Sequence, residues 1–325
     1  MKKERILLIA PSAYGFHKSI KKAIENKGHK VTFVDEHILP NSMSIRRYVM
    51  KSPRKILEEL HNAYIKSSIA SNIYDRVILI RGEFINAKTI KWMKNNLKEA
   101  KFIMYQWDSK IYLPLLGEQI GYFDKIYSFD KNDSLEYGFV HKPLFFSNEH
   151  VNKSTTENEY KFCFVGTDHT DRAKVIFDFI KENNIKKNDL FLHLCRAKLS
   201  IVLNILKRTR AVKKSYLPLY SVYPLNPAMT MEQLAKSEHV LDITPINQSG
   251  LTMRTMEALG LKKKIITTNE EIKQYDFYDP NNIYVFSREN LKIPEGFLAK
   301  KHKEVNADIY NKYLIDHWVD DFLQG

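Results

Sequence analysis

Short, continuous apolar runs alternate along the chain with longer segments whose apolar residues recur every three or four positions. The first run, 5–12, leads into a helical pattern over 17–27 that stops before Gly28, and a second apolar run follows at 31–35. A buried strand, a helix and a second strand within about 30 residues form a βαβ unit, which makes the two strands parallel. Because the alternation continues, it predicts an α/β chain built on parallel sheets.

The same alternation predicts two domains. Residues 147–159 are polar, with Val151 as their single aliphatic side chain, which is typical of a linker. We therefore predict an N-terminal domain over 1–150, a linker over 151–159, a C-terminal domain over 160–305 and a C-terminal helix over 306–325. The predicted strands are 5–12, 31–35, 76–82, 101–106, 122–130, 160–165, 190–195, 239–243, 265–267 and 283–286. The predicted long helices are 17–27, 41–72, 86–99, 173–183, 197–212 and 306–325, with a shorter one at 231–237.

Composition narrows the class of protein. The chain has 325 residues, of which 44% are hydrophobic and 27% charged, so it can form two ordinary cores. The two cysteines, Cys163 and Cys195, lie in apolar runs, and their spacing supports neither a disulfide nor a metal site. No run approaches the roughly 18 apolar residues of a membrane span. The first apolar run is too short for a signal peptide, so we expect a cytoplasmic protein.

The net charge of +13 suits nucleic acid, an anionic membrane or phosphorylated substrates. Basic residues interleave with apolar ones in two predicted helices, 41–72 and 197–212. Each helix is either an ordinary helix with a solvated basic face or a peripheral contact with the inner face of the plasma membrane. The chain lacks the patterns of the common nucleic-acid-binding modules, so nucleic acid is not an expected partner.

The stretch with the clearest chemistry is the polar loop and short helix over 247–261. Gly250 lets the backbone approach a ligand closely, and the first N–H groups of the helix lack intrahelical partners and favour anions. Arg254 falls in the first turn, where a guanidinium can bind phosphate oxygens bidentately. Glu257 lies one turn later on the same face, where it can accept hydrogen bonds from sugar hydroxyls. The stretch predicts a nucleotide-sugar site contacted by Gln248, Ser249, Gly250, Leu251, Thr252, Arg254 and Glu257.

This stretch resembles the nucleotide-sugar half of GT-B glycosyltransferases, and most of all the CgeB-like type of capsule and lipopolysaccharide biosynthesis with its Arg-x-x-Glu-Ala-Leu-x-x-x-Lys segment. The resemblance is strong over 237–286, moderate over 160–180 and architectural over 1–146. It implies two Rossmann-like domains facing a central cleft, a C-terminal helix that crosses back to the first domain, and a reaction that needs neither metal nor cofactor.

The resemblance leaves the stereochemistry open. Many retaining enzymes of this fold carry two glutamates eight positions apart. Glu257 matches the second, whereas Ser249 stands at the position of the first. The resemblance also implies a second wall for the donor phosphates after the strand 160–165, where Gly166 precedes a helix and Arg172, or else Lys174, would complete the clamp. The alternative is that both basic side chains lie in a solvated first turn.

Two residues are candidates for the general base of an inverting enzyme. His17 lies where inverting GT-B enzymes commonly carry a histidine, and a neutral imidazole suits proton abstraction. Alternatively, it begins a helix without a catalytic role. Asp108 follows Trp107 at the end of the strand 101–106, a pairing of ring and carboxylate that suits a sugar. Alternatively, Asp108 caps a helix beside a packed tryptophan.

The sequence thus predicts a hexosyltransferase that moves a sugar from a nucleotide-diphosphate donor to a glycan or lipid-linked acceptor in surface polysaccharide biosynthesis. One alternative is a GT-B-shaped epimerase, which would act on a nucleotide sugar without an acceptor. Such enzymes tend to place several acidic residues around the sugar. The other alternative is a non-enzymatic nucleic-acid-binding protein, which rests on charge alone.

Overall fold

The computed structural model describes residues 2–12, 15–37, 54–69, 73–113, 115–155, 157–168, 171–196, 220–246 and 248–324. They divide into two compact units. Unit 1 comprises Met1–Leu144 and Ile315–Gly325, and unit 2 comprises Phe145–Leu314. Each unit contains a six-stranded sheet with interspersed helices. The prediction of two Rossmann-like domains is therefore confirmed.

Unit 1 has a parallel sheet in the order β2-β1-β3-β4-β5-β6. Its strands are β1 (Arg5–Ala10), β2 (Lys30–Asp35), β3 (Arg76–Ile80), β4 (Lys101–Gln106), β5 (Lys125–Ser128) and β6 (Val140–His141). The apolar side chains of β1 and β3 are buried throughout, as expected of central strands in a sheet covered by helices on both faces. This explains why those strands are continuous apolar runs in the sequence.

Unit 2 has a second parallel sheet, in the order β12-β11-β10-β7-β8-β9. Its strands are β7 (Tyr160–Thr167), β8 (Leu190–Cys195), β9 (Tyr220–Ser221), β10 (Ser237–Asp242), β11 (Lys264–Thr267) and β12 (Ile283–Val285). Numbered within the unit, this is the order 3-2-1-4-5-6 of the Rossmann fold. A core of aromatic and aliphatic side chains, including Phe162, Phe179 and Ile266, packs around the sheet.

The described α-helices agree with most of the predicted ones. They are α1 (Phe16–Asn26), α2 (Arg54–Ile69), α3 (Ala87–Asn96), α4 (Leu116–Gln119), α5 (Lys131–Tyr137), α6 (Asn148–Lys153), α7 (Arg172–Glu182), α8 (Pro227–Ala235), α9 (Met253–Gly260), α10 (Glu295–Leu298), α11 (Ala307–Lys312), α12 (Ile315–Trp318) and α13 (Asp320–Leu323). Within the described residues, four short 3-10 helices cover Lys110–Tyr112, Ile120–Tyr122, Lys187–Asp189 and Glu270–Gln274.

Two helical predictions need correction. The helix predicted at 231–237 is wrong at its start. It runs over Pro227–Ala235, and the side chain of Asn226 accepts a hydrogen bond from the N–H of Met229. Proline is well suited to the first helical position because its missing N–H would have no intrahelical partner there. The single helix predicted over 306–325 is divided into α11, α12 and α13.

The last residues of the chain pack on unit 1. The Trp318 ring lies edge-on to Tyr105, with 4.9 Å between ring centroids, and its indole N–H donates to the carbonyl of Pro143 over 2.8 Å. The Tyr127 hydroxyl donates to the carbonyl of Asp321 over 2.8 Å. Residues up to Leu314 belong to unit 2 instead, and helix α6 (Asn148–Lys153) covers the start of the segment predicted as a linker.

The two predicted basic helices fall largely outside the described residues. The second, over 197–212, lies wholly outside them, and the first is described only over Arg54–Ile69. Among the described helices, none combines the length and the apolar character needed to span a lipid bilayer.

Candidate functional site

The strand orders identify one ligand-binding edge in each unit. In an open parallel sheet, ligands bind beyond the carboxyl ends of the strands where the winding direction reverses. In unit 2 the reversal falls between β7 and β10, and in unit 1 between β1 and β3. The residues that follow those four strands are therefore the first place to look for a site.

In unit 2, a buried carboxylate at the end of β10 positions helix α9. Asp242 accepts hydrogen bonds from the hydroxyls of Thr252, over 3.0 Å, and Thr255, over 2.5 Å. The Thr252 side chain also accepts from the N–H of Thr255, so it caps the helix. Burial raises the pKa of Asp242, while these hydroxyls and the charges of Arg172 and Arg254 act in the opposite direction. The start of α9 is thus tied to the central strand of the sheet.

Arg254 and Glu257 form an ion pair on one face of α9. Glu257 also lies 3.9 Å from Nε2 of His150. Burial acts to raise the pKa of Glu257, but the charges of Arg254 and His150 outweigh it, and the pKa lies below its ordinary value. The Arg254 Nε is buried without a hydrogen-bond partner. The two residues predicted to hold diphosphate and ribose are therefore adjacent and bound to each other.

Arg172 joins the ends of β7 and β10. Its Nε donates to the carbonyl of Ile243 over 2.7 Å, and its Nη1 donates to the carbonyl of Thr167 over 2.8 Å. Both acceptors are uncharged, and the desolvated guanidinium has a pKa below its usual value because of burial. A Cβ on Gly166 would lie 3.0 Å from the Phe164 ring and 3.9 Å from Arg172 Nη1. Glycine therefore leaves room for this close packing.

Lys174 lies elsewhere. Its side chain is 60% exposed and pairs with Asp178, four residues later on the surface of α7, at 2.8 Å. Arg288, which the sequence reading missed, lies closer to the edge. It pairs with Asp171 at 2.8 Å and donates to the carbonyl of Thr244 over 2.6 Å. The only signal for Arg288 was its place just after the last predicted strand.

An asparagine after β11 holds the loop before α9. The Asn269 side-chain amide donates to the carbonyls of Ser249, over 3.2 Å, and Gly250, over 3.3 Å. The Gln248 amide donates to the same Gly250 carbonyl over 2.9 Å, and Leu251 is buried. The predicted loop residues are thus brought to the same edge as Arg254, with Asn269 as a supporting residue that the sequence reading did not select.

In unit 1, His17 is packed inside the domain. Its ring stacks on Phe33, with centroids 4.5 Å apart, and only 8% of the residue is exposed. Burial lowers the pKa of His17, against the raising effect of Asp35. Its Nδ1 is buried without a hydrogen-bond partner. The imidazole is therefore neutral near pH 7, but it has little access to an acceptor.

Asp108, the other candidate base, lies at the end of β4 beside a charged group that the sequence reading left unassigned. Arg81 Nε lies 2.8 Å from Asp108 Oδ2, and Arg81 Nη2 lies 2.7 Å from Glu83 Oε2. The Asp108 side chain is 39% exposed, whereas that of Arg81 is 18% exposed. Burial raises the pKa of Asp108, the charge of Arg81 lowers it and that of Glu83 raises it. Phe16 packs edge-on to the neighbouring Trp107, with centroids 6.2 Å apart.

Glu36 is a third carboxyl group at this edge, just beyond β2. It is fully buried, its Oε2 accepts from the N–H of Gly82 over 2.8 Å, and its Oε1 has no hydrogen-bond partner. Burial raises the pKa of Glu36 to about 8. Glu36, His37 and Glu83 also form the group of described residues whose donor atoms could hold a metal, with all atoms within 4.8 Å of one another. In that group, Glu83 is already paired with the cation of Arg81.

Comparisons with known proteins give structural matches alone. No protein-family model matches the chain, and no curated protein matches it by sequence. HepE from Anabaena, in complex with UDP and glucose, is 9% identical with a TM-score of 0.64 and covers 98% of both chains. A glycosyltransferase from Rickettsia africae is 14% identical with a TM-score of 0.54, covering 99% of this chain and 97% of its own.

A third match is the UDP-GlcNAc 2-epimerase of Methanocaldococcus jannaschii in complex with UDP-GlcNAc and UDP. It is 13% identical with a TM-score of 0.54 and covers 98% of this chain and 99% of its own. All three cover nearly the whole length of both chains. The chain has the GT-B fold. Within that fold, the two edges described above remain the candidate sites, and the roles of their residues remain predictions.

Proposed function

We propose that this GT-B protein transfers a sugar from a nucleoside diphosphate sugar to a hydroxyl of a glycan or lipid-linked acceptor. The observation that carries the proposal is that Arg172, Arg254 and the start of α9 lie at one edge of unit 2. This is the edge at which the winding direction reverses, between β7 and β10. The charges of both arginines act on the same buried carboxylate, Asp242. Desolvated guanidinium groups and free helix N–H groups are suited to a diphosphate.

These groups would stabilise the leaving group. As the bond between the anomeric carbon and the diphosphate oxygen breaks, negative charge builds up on the diphosphate, and fixed positive charges lower the barrier. The guanidinium of Arg254 would contact Glu257 and a phosphate oxygen at the same time. Glu257, held ionised by that pair, would accept hydrogen bonds from the ribose hydroxyls.

The solved structures support the choice of donor. The Anabaena neighbour holds UDP and glucose, and the Methanocaldococcus neighbour holds UDP-GlcNAc and UDP. Both neighbours bind UDP, so UDP is the first ligand to test. Their identities of 9% and 13% are too low to assign the sugar to this chain. The pathway we propose, surface polysaccharide biosynthesis, follows from the resemblance of the segment 237–286 to capsule and lipopolysaccharide enzymes.

Titration calorimetry with UDP tests the donor site. Arg172→Gln and Arg254→Gln should each weaken UDP binding about 10- to 100-fold, because a hydrogen bond to a charged group contributes roughly 1.5–3 kcal/mol. Lys174→Gln should change the affinity less than twofold, since that side chain pairs with Asp178 on the helix surface. Lys303→Ala, a change at an exposed ion pair with Asp279, is the control. Full affinity in both arginine variants would refute the proposed site.

The alternative function is epimerisation or hydrolysis of the nucleotide sugar without an acceptor. The observation that favours it is the group of three carboxyl residues in unit 1, Glu36, Glu83 and Asp108, of which Glu36 has a pKa of about 8. Such a set can both remove and return a proton at neutral pH. Incubating UDP-GlcNAc with the protein in D₂O and following the product by NMR distinguishes the epimerase function from the transferase function. Deuterium in the sugar would favour the epimerase, whereas turnover that requires an acceptor would favour the transferase.

A further inference from the structure

Arg81 has a backbone conformation that side chains other than glycine rarely adopt. Its φ is 73°, and the next residue, Gly82, has a φ of 72°. A non-glycine residue in this region is strained, and such strain persists only where the surroundings hold it in place. Arg81 lies directly after β3, at the switch point of unit 1. The strain therefore lies where the fold predicts a ligand.

Several groups hold the strained turn. The Arg81 N–H donates to the carbonyl of Tyr105 over 3.0 Å, and the Gln106 side chain donates to the carbonyl of Arg81 over 3.0 Å. The Gly82 N–H donates to Glu36, as described above, and its carbonyl accepts from the Gln119 side chain over 2.7 Å. Residues following or within β2, β4 and α4 thus fix one turn. All of these bonds act on the backbone, so they set the direction of the Arg81 side chain.

The Arg81 side chain, directed in this way, pairs with Asp108. Arg81 Nε lies 2.8 Å from Asp108 Oδ2 at an angle outside hydrogen-bonding geometry, so the contact is one of charge. The second arm of the guanidinium contacts Glu83. The Asp108 side chain is 39% exposed and that of Arg81 is 18% exposed, so the carboxylate is the more accessible member of the pair.

We propose that Arg81 is a positioning residue that orients Asp108 and keeps it as a carboxylate ready to take the proton of the acceptor hydroxyl. This inference rests on the proposed transferase function. In the step, the acceptor O–H bond breaks and its proton passes to an Asp108 oxygen. The acceptor oxygen bonds to the anomeric carbon, and the bond from that carbon to the diphosphate breaks with its electron pair leaving on the diphosphate.

The charges around Asp108 support this role. The groups that act on its titration are Arg81, which lowers the pKa, and Glu83, which raises it, besides the burial that raises it most. The guanidinium of Arg81 lies against two carboxylates, those of Asp108 and Glu83. Of these influences on Asp108, the charge of Arg81 is the one that favours its ionised form.

The first experiment is a pH titration of the full chain labelled with ¹³Cγ-aspartate, with the Asp108 signal identified through Asp108→Asn. Arg81→Gly removes the cation and fits the observed φ without strain. We expect the pKa of Asp108 to rise in Arg81→Gly and to stay near the wild-type value in Arg81→Lys. Asn184→Gly is the matched control, because Asn184 also has a positive φ, of 51°, but lies in unit 2. An unchanged Asp108 titration in Arg81→Gly would overturn the inference.

The second experiment measures turnover of the nucleotide sugar against pH. In Arg81→Gly, kcat should fall about 100-fold, within the range of general-base catalysis, and the acidic limb should move to higher pH by the same amount as the NMR titration. Arg81→Lys should keep the position of that limb. A limb that does not move would refute the positioning role. UDP affinity should be unchanged in every variant, and a wild-type chain that binds no UDP would instead refute the proposed donor site.

Discussion

At the edge of unit 2, guanidinium groups lie around one carboxylate, Asp242. Two threonine hydroxyls donate hydrogen bonds to it. The edge of unit 1 collects carboxyl groups around one guanidinium, Arg81. Both edges lie at the switch point of a six-stranded parallel sheet. The same topology therefore presents one site suited to an anionic diphosphate and another suited to hydroxyl groups and their protons. In each case, the few residues that follow the central strands determine the chemistry.

The largest expected effect separates chemistry from donor binding. Asp108→Asn keeps the shape of the side chain but removes the proposed base, so kcat for transfer should fall about 10³-fold, in the range of general acid–base catalysis. UDP affinity should remain within twofold of wild type, because the arginines of unit 2 are untouched. Steady-state kinetics and calorimetry on the same preparation measure both.

His17→Gln provides the comparison for that experiment. Because His17 is packed against Phe33, we expect it to change kcat far less than Asp108→Asn does. The opposite order would make His17 the base and would contradict the assignment of Asp108.

The sequence named more of the residues that lie together at the edge of unit 2 than at the edge of unit 1, for physical reasons. Arg254, Glu257 and the cap of α9 are local features, because a helix start and its first two turns can be read from adjacent residues. Arg172, with Lys174 as the alternative, was selected because both follow a predicted strand and Gly166. The pairing of Arg254 with Glu257 and the role of Asn269 depend on rotamers and on a contact across 20 residues, which no local pattern contains.

The unit 1 site depends on contacts between distant strands. The predicted strand 76–82 ends with Arg81 and Gly82, but a left-handed arginine has no signature in the sequence. The Glu36 carboxyl reaches Gly82 over a separation of 46 residues. Its burial follows from the pairing of β2 with β1, and of β1 with β3. Each of three predicted strands is followed closely by a charged residue. That pattern could have predicted that these residues lie together at one edge of the sheet.

A smaller effect, on the pH dependence of the free energy of unfolding, follows from a difference between the buried carboxyl groups of the two edges. Asp242 accepts two hydroxyl hydrogen bonds, whereas one oxygen of Glu36 lacks a hydrogen-bond partner and burial raises the pKa of Glu36 to about 8. Between the unfolded value of 4.5 and about 8, the folded state binds a proton that the unfolded state has released. The free energy of unfolding should therefore fall as pH rises through this window.

Glu36→Gln tests that pH dependence. It should stabilise unit 1 by on the order of 4 kcal/mol at pH 8 and by less than about 1 kcal/mol at pH 5, because a neutral amide replaces a carboxyl that must ionise. Trp92, Trp107 and Trp318 account for the chain's three tryptophans and all lie in unit 1, so urea unfolding followed by tryptophan fluorescence reports on this unit. Glu289→Gln, at an exposed position in unit 2, is the control. Equal stabilisation at both pH values would contradict the assignment.

The smallest expected effect compares the glycines of the two edges. Gly82 has a φ of 72°, and a Cβ there would lie 3.0 Å from Leu79 Cδ2, whereas Gly166 meets the Phe164 ring at 3.0 Å without a positive φ. Gly82→Ala should lower the free energy of unfolding of unit 1 by about 1–2 kcal/mol, since a left-handed alanine is strained, and shift the tryptophan transition. Gly166→Ala should leave that transition in place and weaken UDP binding slightly, because Phe164 must yield beside Arg172. If Gly82→Ala were instead neutral, the turn that orients Arg81 would be free to relax, and the contrast between a strained edge and an unstrained one would fail.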